Sequence, residues 1–425
     1  MSEKKNQLNN LIQTFWSRQI SQIKDEGWPA VWRKARAAIK LTLTLFMAFL
    51  TLPIAFIVLI LRPILLIRFG PLRTERIGHL ALNTEIYLCE LDEEIDSSKT
   101  FDILYPSSII ANQQLMRMWK RKLNVLFLAR FITKLFEILP GGEKHIISVV
   151  NIGSIDKKEI MARTSEPHIY FTPKEETKGK NNLLEWGLPE GSPFICFQSR
   201  DSAYLESTFA HEDGWKYHDY RDANIHNNIP AVEYLVNEGY YSFRMGHIVK
   251  NPLKVNKSKI IDYATNGFRT DFMDIYLAAK CKFFLVDTAG FGGVPIIFRR
   301  PVAIVNYIPI IPQSWSAGSL FIPKKLWLRN ENRFLTFSEI ISSEPSFLTF
   351  FKTEQYEKFD IDVIENTPDE ILALATEMNK RLNGQWETTP EDMELQKRYW
   401  SLFKKNDWHS NIGAEFLRQN RQLLA

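Results

Sequence analysis

The sequence predicts an α/β protein of two Rossmann-like lobes behind an N-terminal membrane-associated helical segment. Three observations carry this expectation. Short apolar runs such as FICFQSR (194–200), KFFLVD (282–287) and PVAIVN (301–306) have the length and continuity of strands buried on both faces of a parallel sheet. Helical patterns such as DFMDIYLAAKC (271–281) alternate with them, as βαβ units require. A stretch of 21 residues without a charge, 41–61, follows a basic head.

Composition bounds the function classes. The chain has 425 residues, 45% hydrophobic and 24% charged, with three well-separated cysteines and no C-x-x-C. That suits a reducing compartment and excludes a disulfide scaffold. The net charge is +4. Residues 1–40 carry eight Lys or Arg against Glu3, Asp25 and Glu26. A basic head on a near-neutral body points to a membrane surface and away from nucleic acid.

Residues 1–70 form the membrane-associated segment. Residues 6–40 read as two amphipathic helices split near Gly27-Trp28-Pro29, with Trp16, Trp28 and Trp32 among Lys and Arg, a mixture suited to lipid headgroups. Residues 41–61 are long enough to span a bilayer, but Pro53 divides them. With basic residues on both flanks, a shallow hairpin is expected. A core helix of a soluble protein is the remaining option.

Residues 71–185 are expected to form the first lobe, which meets the acceptor. ILLIRFGPL (64–72) and TFDILYP (100–106) read as strands and IIANQQLMRMWKRKL (109–123) as a helix. RTERIGHLALNTEIYLCEL (73–91) is expected as the loop after the first strand, and HIISVVN (145–151) and HIYFTP (168–173) as further strands. Residues 151–190 are polar and read as the interdomain connection.

Residues 191–400 form the second lobe. IPAVEYLVNEG (229–239) is an amphipathic helix stopped by Gly239. YYSFRMG (240–246) is the next strand, and TAGFGG (288–293) turns KFFLVD into the short helix of GVPIIFRR (293–300). A strand, a glycine loop and a helix start can cradle an anion, through free N–H groups and the helix dipole. An ordinary turn with glycines for packing reads the same residues. Residues 401–425 are expected as a terminal helix packing back on the first lobe.

No H-E-x-x-H, Walker A, G-x-G-x-x-G or G-x-S-x-G motif is present, which removes the main support for zinc proteases, P-loop kinases, dinucleotide dehydrogenases and serine hydrolases. Asp360-Ile361-Asp362 is read as structural, because a metal site needs more oxygen ligands. His79 lies just past a strand end, where open α/β sheets place ligands, and imidazole is a suitable base near neutral pH. Glu75 and Glu85 are the neighbouring carboxylate alternatives; His218 and Asp219 are second choices. Arg244, before Gly246 at a strand end, suits phosphate binding through its planar fork. Arg200 and Arg221 are further candidate cations, and Asp287 ends the strand before Thr288.

The segments RIGHLALNTEIYL, YRDANIHNN followed by a helix and YYSFRMG, DFMDIYLAAKCKFFLVDTAGFGGVP, RRPVAIVN and the NIGAEFL ending resemble a bacterial glycosyltransferase family of surface-polysaccharide gene clusters. The layout is similar to two-lobed glycosyltransferases of the GT-B type. The resemblance implies that Arg244, Gly246, Thr288, Gly290, Gly292 and Gly293 line a nucleotide-sugar site, with Arg200 and Arg221 nearby. It also implies that no metal or other cofactor is needed. The expected activity is sugar transfer from a nucleotide sugar to a glycan or lipid-linked acceptor, inverting, at the cytoplasmic face of the bacterial inner membrane. A non-catalytic nucleotide- or glycan-binding scaffold is the alternative.

Overall fold

The computed structural model describes residues 17, 21–22, 24–93, 100–147, 156, 159–164, 166–208, 214–255, 257–313, 315–403 and 410–425. Trp16, most of the first amphipathic pattern and the end of HIISVVN lie outside them. The chain divides into two compact units. The first comprises residues 1–70, 99–105 and 126–147, and the second comprises 71–98, 106–125 and 148–425.

In the first unit, helix α1 (Trp28–Leu61) runs without a break through Pro53. The expected hairpin is therefore a single helix of 34 residues. Among the described residues no helix is long and apolar enough to cross a membrane. Strands β1 (Leu66–Leu72) and β2 (Thr100–Pro106) are neighbours in a small sheet, and helix α2 (Ala129–Phe136) follows. Ala55 and Val58 of α1 pack with Phe69, Ala129, Ile132 and Phe136 into the unit's core. Arg68 clamps Asp102 through two hydrogen bonds of 2.7 and 2.8 Å, pinning β1 to β2.

The second unit is built on one parallel sheet. Its strands are β3 (Phe194–Gln198), β4 (Tyr241–Arg244), β5 (Ile260–Ile261), β6 (Phe284–Val286), β7 (Val302–Tyr307), β8 (Leu320–Pro323) and β9 (Asn411–Ile412). The order is β9-β8-β7-β6-β3-β4-β5, and every pairing is parallel. Registers such as Cys196↔Phe284 and Leu285↔Ala303 hold the centre. Each residue of β6, β7 and β8 is buried, which is why these strands read as unbroken apolar runs. Helices α3 (Ile229–Asn237), α4 (Asp271–Lys280) and α5 (Gly293–Ile297) fill connections between strands. Helices α6 (Pro368–Leu382) and α7 (Pro390–Ser401) begin with capping boxes at Thr367 and Thr389.

Several expectations change. The described residues hold one Rossmann-like sheet, not two. Residues 71–98 and 106–125 belong to the same compact unit as that sheet. They dock on it through Asn112, whose Nδ2 donates to Asp271 O at 3.0 Å, and through the turn before the helix Thr84–Glu93. The segment 73–91, expected as a loop, is mostly helical: a π-helical turn His79–Asn83 leads into Thr84–Glu93. HIYFTP is not a strand. Thr172 caps a helix over Pro173–Glu185, with Glu175 closing the box; this T-P-x-E start lay in the presumed connection. Helix α8 (Ala414–Gln419), expected to pack on the earlier lobe, contacts α6 and α7, and Arg418 grips Asp392 of α7 in a two-pronged pair.

Candidate functional site

The order of the sheet places a site before any side chain is considered. From β3 the chain moves outward through β4 to β5, then returns to β6 on the other side of β3 and proceeds to β9. The loops after β3 and β6 therefore diverge and leave a crevice at the carboxyl edge. A cavity of about 450 Å³ occupies it. It is lined by Gln198–Asp201, Gly246–Val249, Val286–Gly293 and Tyr307–Pro309 from the strand ends, and by Arg76–His79 and Leu82 from the docked segment. All of these residues belong to the second unit.

Asp287, one residue past β6, is a deeply buried acid of the site. It is 2% exposed. Its Oδ2 accepts from the Arg200 amide at 2.6 Å, and its Oδ1 has no partner. Burial pushes its carboxyl up to about 6, against the pull of the Arg200 amide, Lys324, Arg200 and Arg221. The Arg200 guanidinium pairs with Asp222 and donates through Nη1 to His218 O at 3.3 Å, while Nη2 is buried with no partner. Burial first, then the Arg221 charge, lower Arg200 to about 10. Arg221 donates from Nε and Nη2 to Thr288 O, so a cation fixes the glycine loop. Lys324 is buried beneath, donating to the carbonyls of Tyr220 and Asp222 at 3.1 and 2.7 Å. Burial brings it down to about 8.

Three histidines line the cavity, and all three have lowered pKa values. Burial and then Arg221, Arg200 and Arg76 pull His218 down to about 4. Burial and then Arg73 lower His79. Burial and then Arg269 lower His247. The cavity disfavours added positive charge, so it favours an anion. One expected result follows. A bound diphosphate offsets the arginines, the His218 pKa rises toward 6.5, and the complex takes up a proton. Pyrophosphate affinity in the native protein should therefore gain, relative to His218→Gln, up to about tenfold per pH unit as pH falls from about 6.5 to 4. Titration calorimetry across that range measures it; parallel slopes would disprove the coupling.

The sequence-predicted residues divide in two. His79, Arg200, Arg221, Gly246, Asp287, Thr288, Gly290, Gly292 and Gly293 all line the cavity. Arg244, Glu75 and Glu85 do not. Arg244 is 3% exposed and donates to Asn251 O at 2.8 Å and to Asp262 at 3.2 and 3.3 Å, so it staples the loop after β4. Glu75 accepts from Ser107 Oγ at 2.8 Å. Burial raises its pKa, but a backbone bond, Ser107 and Arg73 outweigh that and lower it, which weakens it as a base. Glu85 is fully buried and accepts from Arg299 at 2.6 Å and His168 at 3.0 Å. Glu85, Cys89 and His168 offer ligand-type atoms within 4.8 Å of one another. The Arg299 guanidinium already supplies the countercharge there.

His79 opens the π-helical turn, a distortion often found at functional sites. Its Nδ1 lies 3.2 Å from Asn83 Oδ1. An Asn83 Oδ1 acceptor places the hydrogen on Nδ1 and leaves the lone pair on Nε2.

The glycines serve packing as well as the cavity wall. A β-carbon on Gly78 would come within 2.8 Å of Gly290 Cα and O, and one on Gly293 within 2.8 Å of Leu82 Cγ. The His79 turn thus lies backbone to backbone on the glycine loop. Helix α5 has only five residues, so its dipole adds little; the arginines carry the positive charge. Gly78→Ala should cost about 1–3 kcal/mol in thermal unfolding, because neither contacted backbone atom can yield cheaply. Gly290→Ala, whose β-carbon would meet Gly78 at 3.4 and 3.5 Å, should be nearly neutral. Equal losses would refute this packing.

Sequence reasoning missed Arg76, Arg269, Asp274 and Lys324 as parts of the site. Arg76 lies over the Trp215 ring at 5.2 Å. Arg269 bonds Asp274 Oδ2 at 2.7 Å, and burial pushes Asp274 up to about 7. Arg76, two residues before Gly78, was the one readable signal.

No family model matches the chain, and no curated protein matches it. Seventeen solved chains are similar in structure. A glycosyl transferase family 9 protein from Veillonella parvula is 11% identical, with 69% of this chain and 95% of that one covered and a TM-score of 0.40. The ADP-heptose LPS heptosyltransferase II of E. coli is 12% identical, with 56% and 84% covered and a TM-score of 0.32. An E. coli heptosyltransferase with ADP-2-deoxy-2-fluoro heptose is 10% identical, with 57% and 90% covered and a TM-score of 0.27. Likeness at this level does not transfer an activity from one protein to another.

Proposed function

We propose that this protein is a glycosyltransferase that moves a sugar from a nucleotide-diphosphate donor to a hydroxyl acceptor. One observation carries the reading: the cavity at the sheet's reversal point joins buried arginines, one with an unpartnered donor at Arg200 Nη2, to three histidines held away from protonation. Such a site binds a polyanion and keeps a neutral base beside it.

The roles follow from position. Arg200 and Arg221 face the diphosphate, and Arg76 adds positive charge from the docked segment. His79 Nε2 takes the proton of the acceptor hydroxyl as its oxygen bonds to the anomeric carbon. The bond from that carbon to the diphosphate breaks on the opposite side, and the arginines stabilise the departing charge. A single displacement of this kind inverts the anomeric centre. The guanidinium groups supply the neutralising charge, so the transfer is metal-independent. A glycan or lipid-linked acceptor at the cytoplasmic face of the bacterial inner membrane belongs to the same reading.

Thermal unfolding against a panel of nucleotide sugars tests binding. A donor at 100 times its Kd should stabilise the fold by about 2.7 kcal/mol. Release of nucleoside diphosphate from that donor, with the sugar appearing on an acceptor, tests transfer. A protein that binds the donor but never consumes it is a binding scaffold, and the enzyme reading then fails.

A further inference from the structure

The first unit carries a feature that sugar transfer does not use. Along α1, Trp28, Trp32, Phe46, Phe49, Ile57 and Ile60 are all exposed, Ile60 by 75%. At 100° per residue they fall on one side of the helix. The opposite stripe, Thr51, Ala55 and Val58, is buried, and helix α1 packs against α2. Phe127 and Ile138 of the same unit are also exposed.

We infer that this face docks on an anionic phospholipid bilayer, with α1 lying in the plane of the interface. Charge is the first ground for choosing lipid. Between Glu26 and Glu75 the chain holds seven Lys or Arg and no Asp or Glu. The basic residues cluster before and after the apolar run, not within it. Pro29, Trp32, Arg33 and Arg36 form a shallow dish near the start of α1; Arg33 pairs there with Glu26 at 2.7 Å, and the aromatic ring with the Arg36 guanidinium beside that pair suits a phosphate headgroup.

The second ground separates a bilayer from another copy of the chain. A helix that pairs with its own kind in water carries charged residues beside its apolar seam. Residues 41–61 carry none on any side. The third ground separates lying in the interface from spanning it. Ala55 and Val58, late in the apolar run, are covered by Phe69 and α2, and the same unit holds the Arg68–Asp102 pair. A spanning helix would draw that pair toward the hydrocarbon, where ionised groups are costly.

Flotation of the purified full chain with vesicles tests this, with no donor or product involved, so its failure is distinct from failure of the transferase reading. The protein should float with phosphatidylcholine vesicles containing phosphatidylglycerol and less with phosphatidylcholine alone. Phe46→Glu with Phe49→Glu should lower partitioning about 100-fold or more, since two large apolar side chains leave the lipid, without changing the thermal melt, because both are exposed. Arg33→Glu with Arg36→Glu should weaken binding to the anionic vesicles while leaving binding to neutral ones unchanged. Absence of flotation overturns the inference, as does a stable dimer that the Phe46 and Phe49 changes break while vesicle binding persists.

Discussion

Replacing Arg200 with methionine is expected to lower kcat/KM for the nucleotide-sugar donor by about 10² to 10³, the loss typical of truncating one partner of a desolvated, hydrogen-bonded charge pair. Arg200 sits where β3 ends, its amide anchors Asp287 at 2.6 Å, and Nη2 is a buried donor with no partner. A diphosphate oxygen would satisfy it. Methionine keeps the apolar stem and the backbone bond, so the loop after β3 retains its path. Asp222 loses its ion-pair partner but is a quarter exposed, so the fold should survive with a lowered melting temperature. Arg200→Lys keeps the charge without the fork and should fall between. The measurement is kcat/KM beside donor-dependent thermal stabilisation. A methionine variant with unchanged donor affinity would remove Arg200 from the site and with it the main support for the transferase reading.

Substituting His79 with glutamine is expected to lower kcat by about 10² to 10⁴, the range of a lost general base, with donor affinity nearly unchanged. Two structural facts make the two parameters separable. His79 lies on the docked segment and not on the strand-end loops that carry Arg200 and Arg221, and its Nδ1 is taken by Asn83, which leaves Nε2 to accept a proton. Burial and Arg73 hold its pKa below 6.5. The base form therefore predominates at neutral pH. Rate should rise with pH through that lowered pKa and level off above it; in the glutamine variant this limb should vanish. A variant that retains the limb and most of kcat would assign the base elsewhere, and Asp287, with its free Oδ1, would be the next group to test.

Much of the second unit was legible in the residues. FICFQSR, YYSFRMG, KFFLVD and PVAIVN became β3, β4, β6 and β7, because a strand buried on both faces must be apolar along its whole length. The helix Asp271–Lys280 was readable from the helical spacing of its apolar residues. The earlier lobe was misread for the complementary reason. Two strand patterns there suggested a sheet of their own, but the segments between them dock on a sheet built later in the chain. The contacts that settle this, the Asn112 amide on Asp271 O at 3.0 Å and the close approach of Gly78 to Gly290, involve a short polar group and bare backbone, which have no periodic signature.

Local pattern alone determined the parallel sheet, the carboxyl-edge location of the site and an apolar run behind a basic head, since burial on two faces and the lack of charge over 21 residues are properties of neighbouring residues; that this run continues through Pro53 as one helix was decided by the folded chain. Tertiary structure decided which cation faces the cavity. Arg244 and Phe197 are register partners on adjacent strands, and Arg200 follows three residues later; in sequence both arginines look fit for phosphate. Asp262, 18 residues beyond Arg244, folds back and neutralises it, while Arg200 keeps one buried donor unspent. A guanidinium's availability depends on the partners that the folded chain brings to it, and those partners are distant in sequence.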